Sequence, residues 1–137
     1  MNRKDFQALA QTRLNEARAL AKAGLPDGAY YLAGYVVECA LKACIAKNTK
    51  RYDFPDKARV EESYTHNLKR LIKPANLEVE LEKTLEQDDI FRGNWRVVQL
   101  WSEQSRYRRH DLASAQELLD AVGNRNHGVF AWIKRYW

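Results

Sequence analysis

Arg106, Tyr107, Arg108, Arg109 and His110 follow one another directly and bring three guanidinium groups and an imidazole together just ahead of Asp111. Asp111 is a residue type that caps helices, which sets the cluster beside the positive end of the final helix. There, unpaired backbone N–H groups, the helix dipole and the arginines would together favour a phosphate. Histidine ordinarily titrates near neutral pH, so His110 could move a proton while Arg106 steadies the charge on a phosphodiester. An Arg–His pair of this kind suits metal-free RNA cleavage, in which a ribose hydroxyl attacks the adjacent phosphate. The competing reading is a solvated loop whose arginines meet acidic neighbours such as Glu103.

A second group of polar residues interrupts an otherwise apolar stretch, DGAYYLAGYVVECALKACIAK, from Asp27 to Lys47. Apolar residues recur there at helical spacing over about five turns, which predicts a core helix. Tyr31, Gly34, Tyr35, Glu38 and Lys42 lie three or four residues apart and therefore stack along one face. Gly34 costs up to about 1 kcal/mol inside a helix unless something approaches the backbone closely. Glu38 and Lys42 read either as an ordinary surface pair or as the floor of a site that also uses Tyr107, Arg108 and Arg109 to hold RNA or nucleotide.

His66, in Thr65-His66-Asn67, is expected to cap or pack at the start of a helix, and His127 to act either as an end cap or as a ligand for the preceding carbonyls. With no paired histidine spacing, no metal site is expected. Trp95, Trp101, Trp132 and Trp137 fall on apolar faces and are expected to pack in a core or an interface rather than stack bases. Cys39 and Cys44 point about 140° apart on one helix and cannot bridge within it, so both are expected to be buried free thiols.

The elements that must position these groups are all helical. An amphipathic helix is expected over Asn2 to Ala23, stopped by Gly24, and it should form an antiparallel hairpin with the core helix, whose start Asp27 would cap. A polar connection around Pro55 follows. Thr65 would cap a short third helix ending at Pro74, and a fourth runs from Leu77 to Gln87. Gly93 and Asn94 are expected to punctuate the chain before Trp95–Trp101. SEQSRYRRHD reads as a basic loop, and Asp111 opens a helix through Val122 ahead of a last apolar turn. No segment alternates like a strand. The expected fold is all-α, an antiparallel bundle of about five helices forming one domain over residues 1–137.

Hydrophobic residues make up 45% and charged residues 30% of the 137, the balance of a globular protein. No apolar run is expected to reach membrane length, and a cytoplasmic location follows by default. The net charge of +5 is unevenly spread, with eight Lys/Arg against four Asp/Glu from Arg92 to Trp137. That C-terminal excess suits an anionic partner, RNA or a nucleotide ahead of a membrane surface. The stripe on the core helix and the number of tryptophans suggest a two-fold dimer.

The order AYYLAGYVVECALKACI, THNLKRL, then WSEQSRY ahead of a C-terminal helix resembles the HEPN superfamily over nearly the whole chain. Its most specific element is the Glu-x-x-Leu-Lys-Ala run from Glu38 to Ala43. The resemblance implies a small all-α bundle and a homodimer. It also implies a metal-independent endoribonuclease of a toxin-antitoxin or defence system partnered by a nucleotidyltransferase antitoxin, or else a non-catalytic module that binds RNA or nucleotide. The superfamily's ribonuclease signature places four to six residues between an arginine and a histidine near the last long helix. Here Arg106 and His110 have three between them, Arg125 and His127 have one, and Arg59 to His66 matches by count but lies elsewhere in the chain. On this resemblance Arg106 and His110 are the catalytic candidates, with no cofactor.

Overall fold

A computed structural model of the chain describes residues 1–49 and 57–137. The polar connection expected around Pro55 lies partly outside the described residues. The described part holds eight α-helices, one 3-10 helix and no strand. The all-α expectation therefore stands, with more helices than the five expected, because short turns of helix are separately capped.

Helix α1, Arg3–Lys22, begins at an Asn2 cap whose side chain accepts from the Asp5 N–H while Asp5 accepts in return from the Asn2 N–H. This reciprocal pair satisfies two otherwise unpaired donors. Ala10, Leu14 and Ala17 form its buried face. Gly24 then takes a positive φ of 77°, open to glycine at little cost, and turns the chain back. Helix α2, Pro26–Asn48, follows at once and packs along α1 more extensively than any other pair of elements. Leu25, not Asp27, is its N-cap, with Pro26 supplying the fixed φ of the first helical position. Asp27 is thereby released to accept from the His110 backbone N–H at 2.6 Å.

Twelve residues of α2 are buried beneath α1, α7, α8, α4 and the 3-10 helix. By length and composition alone α2 could cross a bilayer, contrary to the expectation that no run would. About 67% of that window is, however, buried against other helices, which is the situation of a core helix. Cys39 and Cys44 are buried free thiols. Burial pushes the Cys39 thiol up to about 12 and the Cys44 thiol up to about 11.

Helix α3, Lys57–Ser63, and helix α4, Leu68–Leu71, are short. Asn67, rather than Thr65, caps α4 by accepting from the Arg70 N–H, while Thr65 Oγ1 accepts from the Asn67 N–H one step earlier. Arg59 donates to the Pro74 carbonyl and to Asn76 Oδ1, so it serves the turn after α4 and takes no part with His66. Helix α5, Glu78–Gln87, abuts α6, Asp89–Gln99, with Asp88 capping the second. Gly93 and Asn94 lie inside α6 instead of punctuating it. Asn94 uses its amide to donate to the His127 carbonyl.

A 3-10 helix, Glu103–Tyr107, occupies the segment expected to be a basic loop. Helix α7, Leu112–Gly123, starts at Asp111, whose side chain accepts from the Ser114 N–H as expected. It is the penultimate helix, since α8, Val129–Lys134, comes after it. Trp95, Trp101 and Trp132 are buried in the core of this one chain, and Trp137 packs edge-on against Phe130. The tryptophans thus provide no surplus apolar surface, and the argument for a dimer from their number falls away.

Candidate functional site

The stripe on α2 and the 3-10 helix meet face to face, through Gly34. An added β-carbon there would fall 2.2 Å from the Trp101 ring, so the missing side chain is the space the indole fills. Tyr31 stacks on Trp101 at 6.0 Å between ring centroids and on Tyr35 at 6.2 Å. Docking of Trp101 sets down the residues after it, Ser102 to Tyr107, along α2, and Ser105 is buried there.

At one end of this contact Glu38 is only 2% exposed. Burying a carboxylate is costly unless it is paired. Its Oε1 accepts from Lys42 Nζ at 3.0 Å and from His66 Nδ1 at 2.8 Å. Its Oε2 is buried with no hydrogen-bond partner among the described residues, and so are Trp101 Nε1 and Ser105 Oγ in the same contact. The other ring nitrogen of His66, Nε2, lies 3.4 Å from Glu103 Oε2, and the His66 side chain is 46% exposed. Of the two readings of Glu38 and Lys42, the ordinary surface pair does not hold, because Glu38 is buried and a third group crosses to it from the loop before α4.

The residues of the basic cluster make separate contacts. Arg106 is exposed and lies 4.9 Å over the Tyr107 ring. Tyr107 first, and then Tyr31, holds its pKa above the ordinary arginine value. His110 turns the other way and stacks on Tyr30 at 3.8 Å and 10° between ring planes, with Nε2 at 3.4 Å from the Ser105 carbonyl. Burial first, then Glu117, raises the Tyr30 pKa, while nearby Arg108 lowers it. Tyr30 and Tyr31 are successive on α2 and point about 100° apart. The expected Arg106–His110 pair thus meets different tyrosines, Arg106 lying over Tyr107 and His110 on Tyr30.

Glu103 does not pair with the arginines, since its carboxylate faces His66. No ion pair to Arg106, Arg108 or Arg109 forms among the described residues, and all three are exposed, as is Tyr107. His127 is not itself an end cap, since Asn124 closes α7 and Gly128 opens α8; its Nδ1 lies 2.7 Å from Asp88 Oδ2, and its backbone N–H donates to Asn124 Oδ1.

The residue missed by sequence reasoning is His66, together with its neighbour Glu103. One signal was available. A carboxylate such as Glu38 inside an apolar helix needs a partner, and Lys42 alone satisfies one of its oxygens.

The family model of the HEPN domain matches residues 5–135. Neither the curated proteins nor the solved structures yield a match to this chain.

Proposed function

The chain belongs to the HEPN domain family, and on that premise we propose that it binds RNA through phosphates held on Arg106, Arg108 and Arg109. The observation that carries this reading is the direction of Glu103. The carboxylate nearest to Arg106 in sequence, Glu103, faces His66 at 3.4 Å, that nearest to Arg108 and Arg109, Asp111, caps α7, and three exposed guanidinium groups are left to meet an outside anion. Charge-assisted contacts of this sort are worth about 1.5–3 kcal/mol each. The C-terminal excess of positive charge supports the same reading, because it adds long-range attraction for a polyanion. Free nucleotide shares the phosphate chemistry and would compete for the same groups.

Cleavage by Arg106 with His110 is the less favoured form of the reading. His110 has one face covered by Tyr30, its backbone N–H given to Asp27 and its Nε2 3.4 Å from the Ser105 carbonyl, so the ring is engaged in packing this segment on α2.

Fluorescence anisotropy with a labelled single-stranded RNA tests the proposal. Arg106→Ala should weaken binding by about tenfold or more. Wild-type affinity should fall steeply with salt, with a slope that flattens when the three arginines are replaced together. Unchanged affinity in that triple variant would rule out the arginine segment as the RNA site.

A further inference from the structure

We propose that the RNA held by the arginine segment is single-stranded there, with Tyr107 stacking on the face of an unpaired base while the phosphate beside that base rests on Arg106. The inference rests on the reading of the arginine segment as a phosphate site, and names the form of RNA that the site takes.

The 3-10 helix presents Tyr107 outward. Such a helix has three residues per turn, so when one residue faces inward the next two project away from the surface beneath. Ser105 is the buried member of Glu103–Tyr107, and the two residues that follow it, Arg106 and Tyr107, are exposed. The Arg108 N–H donates to the Ser105 carbonyl at 3.1 Å. That bond closes the turn directly after Tyr107 and fixes the backbone from which the ring projects.

Tyr107 is 73% exposed, whereas Tyr30, Tyr31, Tyr35 and Tyr136 are packed against the core. No other aromatic ring meets it among the described residues. Exposure alone does not mark a site, since Tyr64 is 76% exposed and single apolar side chains at a surface are ordinary. What sets Tyr107 apart is its company. Tyr64 follows Glu61 and Glu62, while Tyr107 stands between Arg106 and Arg108, and Arg106 lies 4.9 Å over its ring.

Every base has a π face, and an exposed aromatic side chain beside a positively charged track holds a single strand without regard to sequence. In a duplex those faces are covered by the neighbouring pairs, and mainly backbone and groove edges are offered. A site made only of guanidinium groups would favour the duplex, whose charge is denser. A ring set among them reverses that preference. The phosphate and base of one nucleotide are joined through a single sugar, so both come within reach of a guanidinium and a ring 4.9 Å apart.

Fluorescence anisotropy on the full chain tests this with two probes, a labelled single-stranded RNA and the same strand annealed to its complement. Wild type should bind the single strand more tightly. Tyr107→Ala should weaken binding of the single strand by about fivefold or more. It should change duplex binding by less than about twofold and keep the wild-type salt slope, because no charge is lost. Tyr107→Phe, which retains the ring, should bind like wild type, and so should Tyr64→Ala. Duplex bound as tightly as single strand by the wild type would overturn the proposal. Equal losses for the two probes in Tyr107→Ala would overturn it as well, by showing that the ring only steadies Arg106, as would a Tyr107→Phe protein as weak as Tyr107→Ala. Wild-type affinity in Tyr107→Ala, beside a weakened variant lacking all three arginines, would overturn the stacking and leave the phosphate reading standing. An unaffected triple variant would overturn both.

Discussion

The Trp101 indole occupies the position that a side chain on Gly34 would take, 2.2 Å from where its β-carbon would stand. Because Trp101 lies two residues before the 3-10 helix, this contact helps to lay the arginine segment on α2. Gly34→Ala must push a buried ring out of a close-packed contact, which typically costs about 1–3 kcal/mol. The expected result is a lower midpoint in urea with little change in slope. RNA binding should weaken as well, since Arg106 loses its setting. A variant with wild-type stability would show that the indole can shift without cost.

The thiols give a second expectation. Burial holds Cys39 near about 12 and Cys44 near about 11, so neither forms appreciable thiolate at pH 8. In the folded protein a thiol reagent such as DTNB should react very slowly, and two equivalents should react once guanidinium unfolds it. Fast reaction of either thiol in the native state would contradict the packing of α2.

Acid stability is expected to depend on Asp88. The His127 ring beside it, and then the Phe91 N–H, hold its carboxyl below the ordinary aspartate range. A group whose folded pKa is depressed adds stability that is full above its unfolded pKa and is lost as pH falls through the folded one. Wild type should therefore lose this contribution below about pH 4. Asp88→Asn keeps an acceptor for the Phe91 N–H but has no charge to protonate. Its melting temperature should start lower at pH 7 and decline less between pH 5 and pH 3. Parallel declines in the two proteins would exclude this pair as a source of acid lability.

Local signals explain what could be read from the chain beforehand. Helix periodicity, the Gly24 stop and the Asp111 cap depend on neighbours within one or two turns, and these gave the all-α fold, the α1–α2 hairpin and the start of α7. Gly34 likewise announced a close approach, although not by which residue. The choice between adjacent caps, Leu25 against Asp27 and Asn67 against Thr65, turns on backbone angles at single residues, which composition does not specify. His66 was hidden for a different reason. Its partner Glu38 is 28 residues earlier, and the connection between them has no periodicity that would set where the loop before α4 lands. For Arg106 and His110, adjacency in sequence does not say which ring each side chain meets, Tyr107 for the one and Tyr30 for the other.

His110 provides the sharpest contrast between what the spacing suggested and what the fold does with it. Its ring lies 3.8 Å from that of Tyr30 and nearly parallel to it, and its backbone N–H is bonded to Asp27 Oδ1 at 2.6 Å. Both contacts tie the segment before α7 to the first two turns of α2. An aromatic pair of this kind is worth about 0.5–1.5 kcal/mol beyond the area it buries. His110→Ala should therefore lower stability by roughly that amount and leave the backbone bond to Asp27 in place. His110→Phe should restore most of the loss, since stacking does not require a titrating ring. If RNA is cut, both variants should keep the wild-type rate to within a few-fold once folded, because the His110 ring is engaged in packing against Tyr30. A His110→Phe protein that is fully stable yet has lost cleavage would instead return His110 to the chemistry, and thermal melts measured beside the cleavage assay separate the two outcomes.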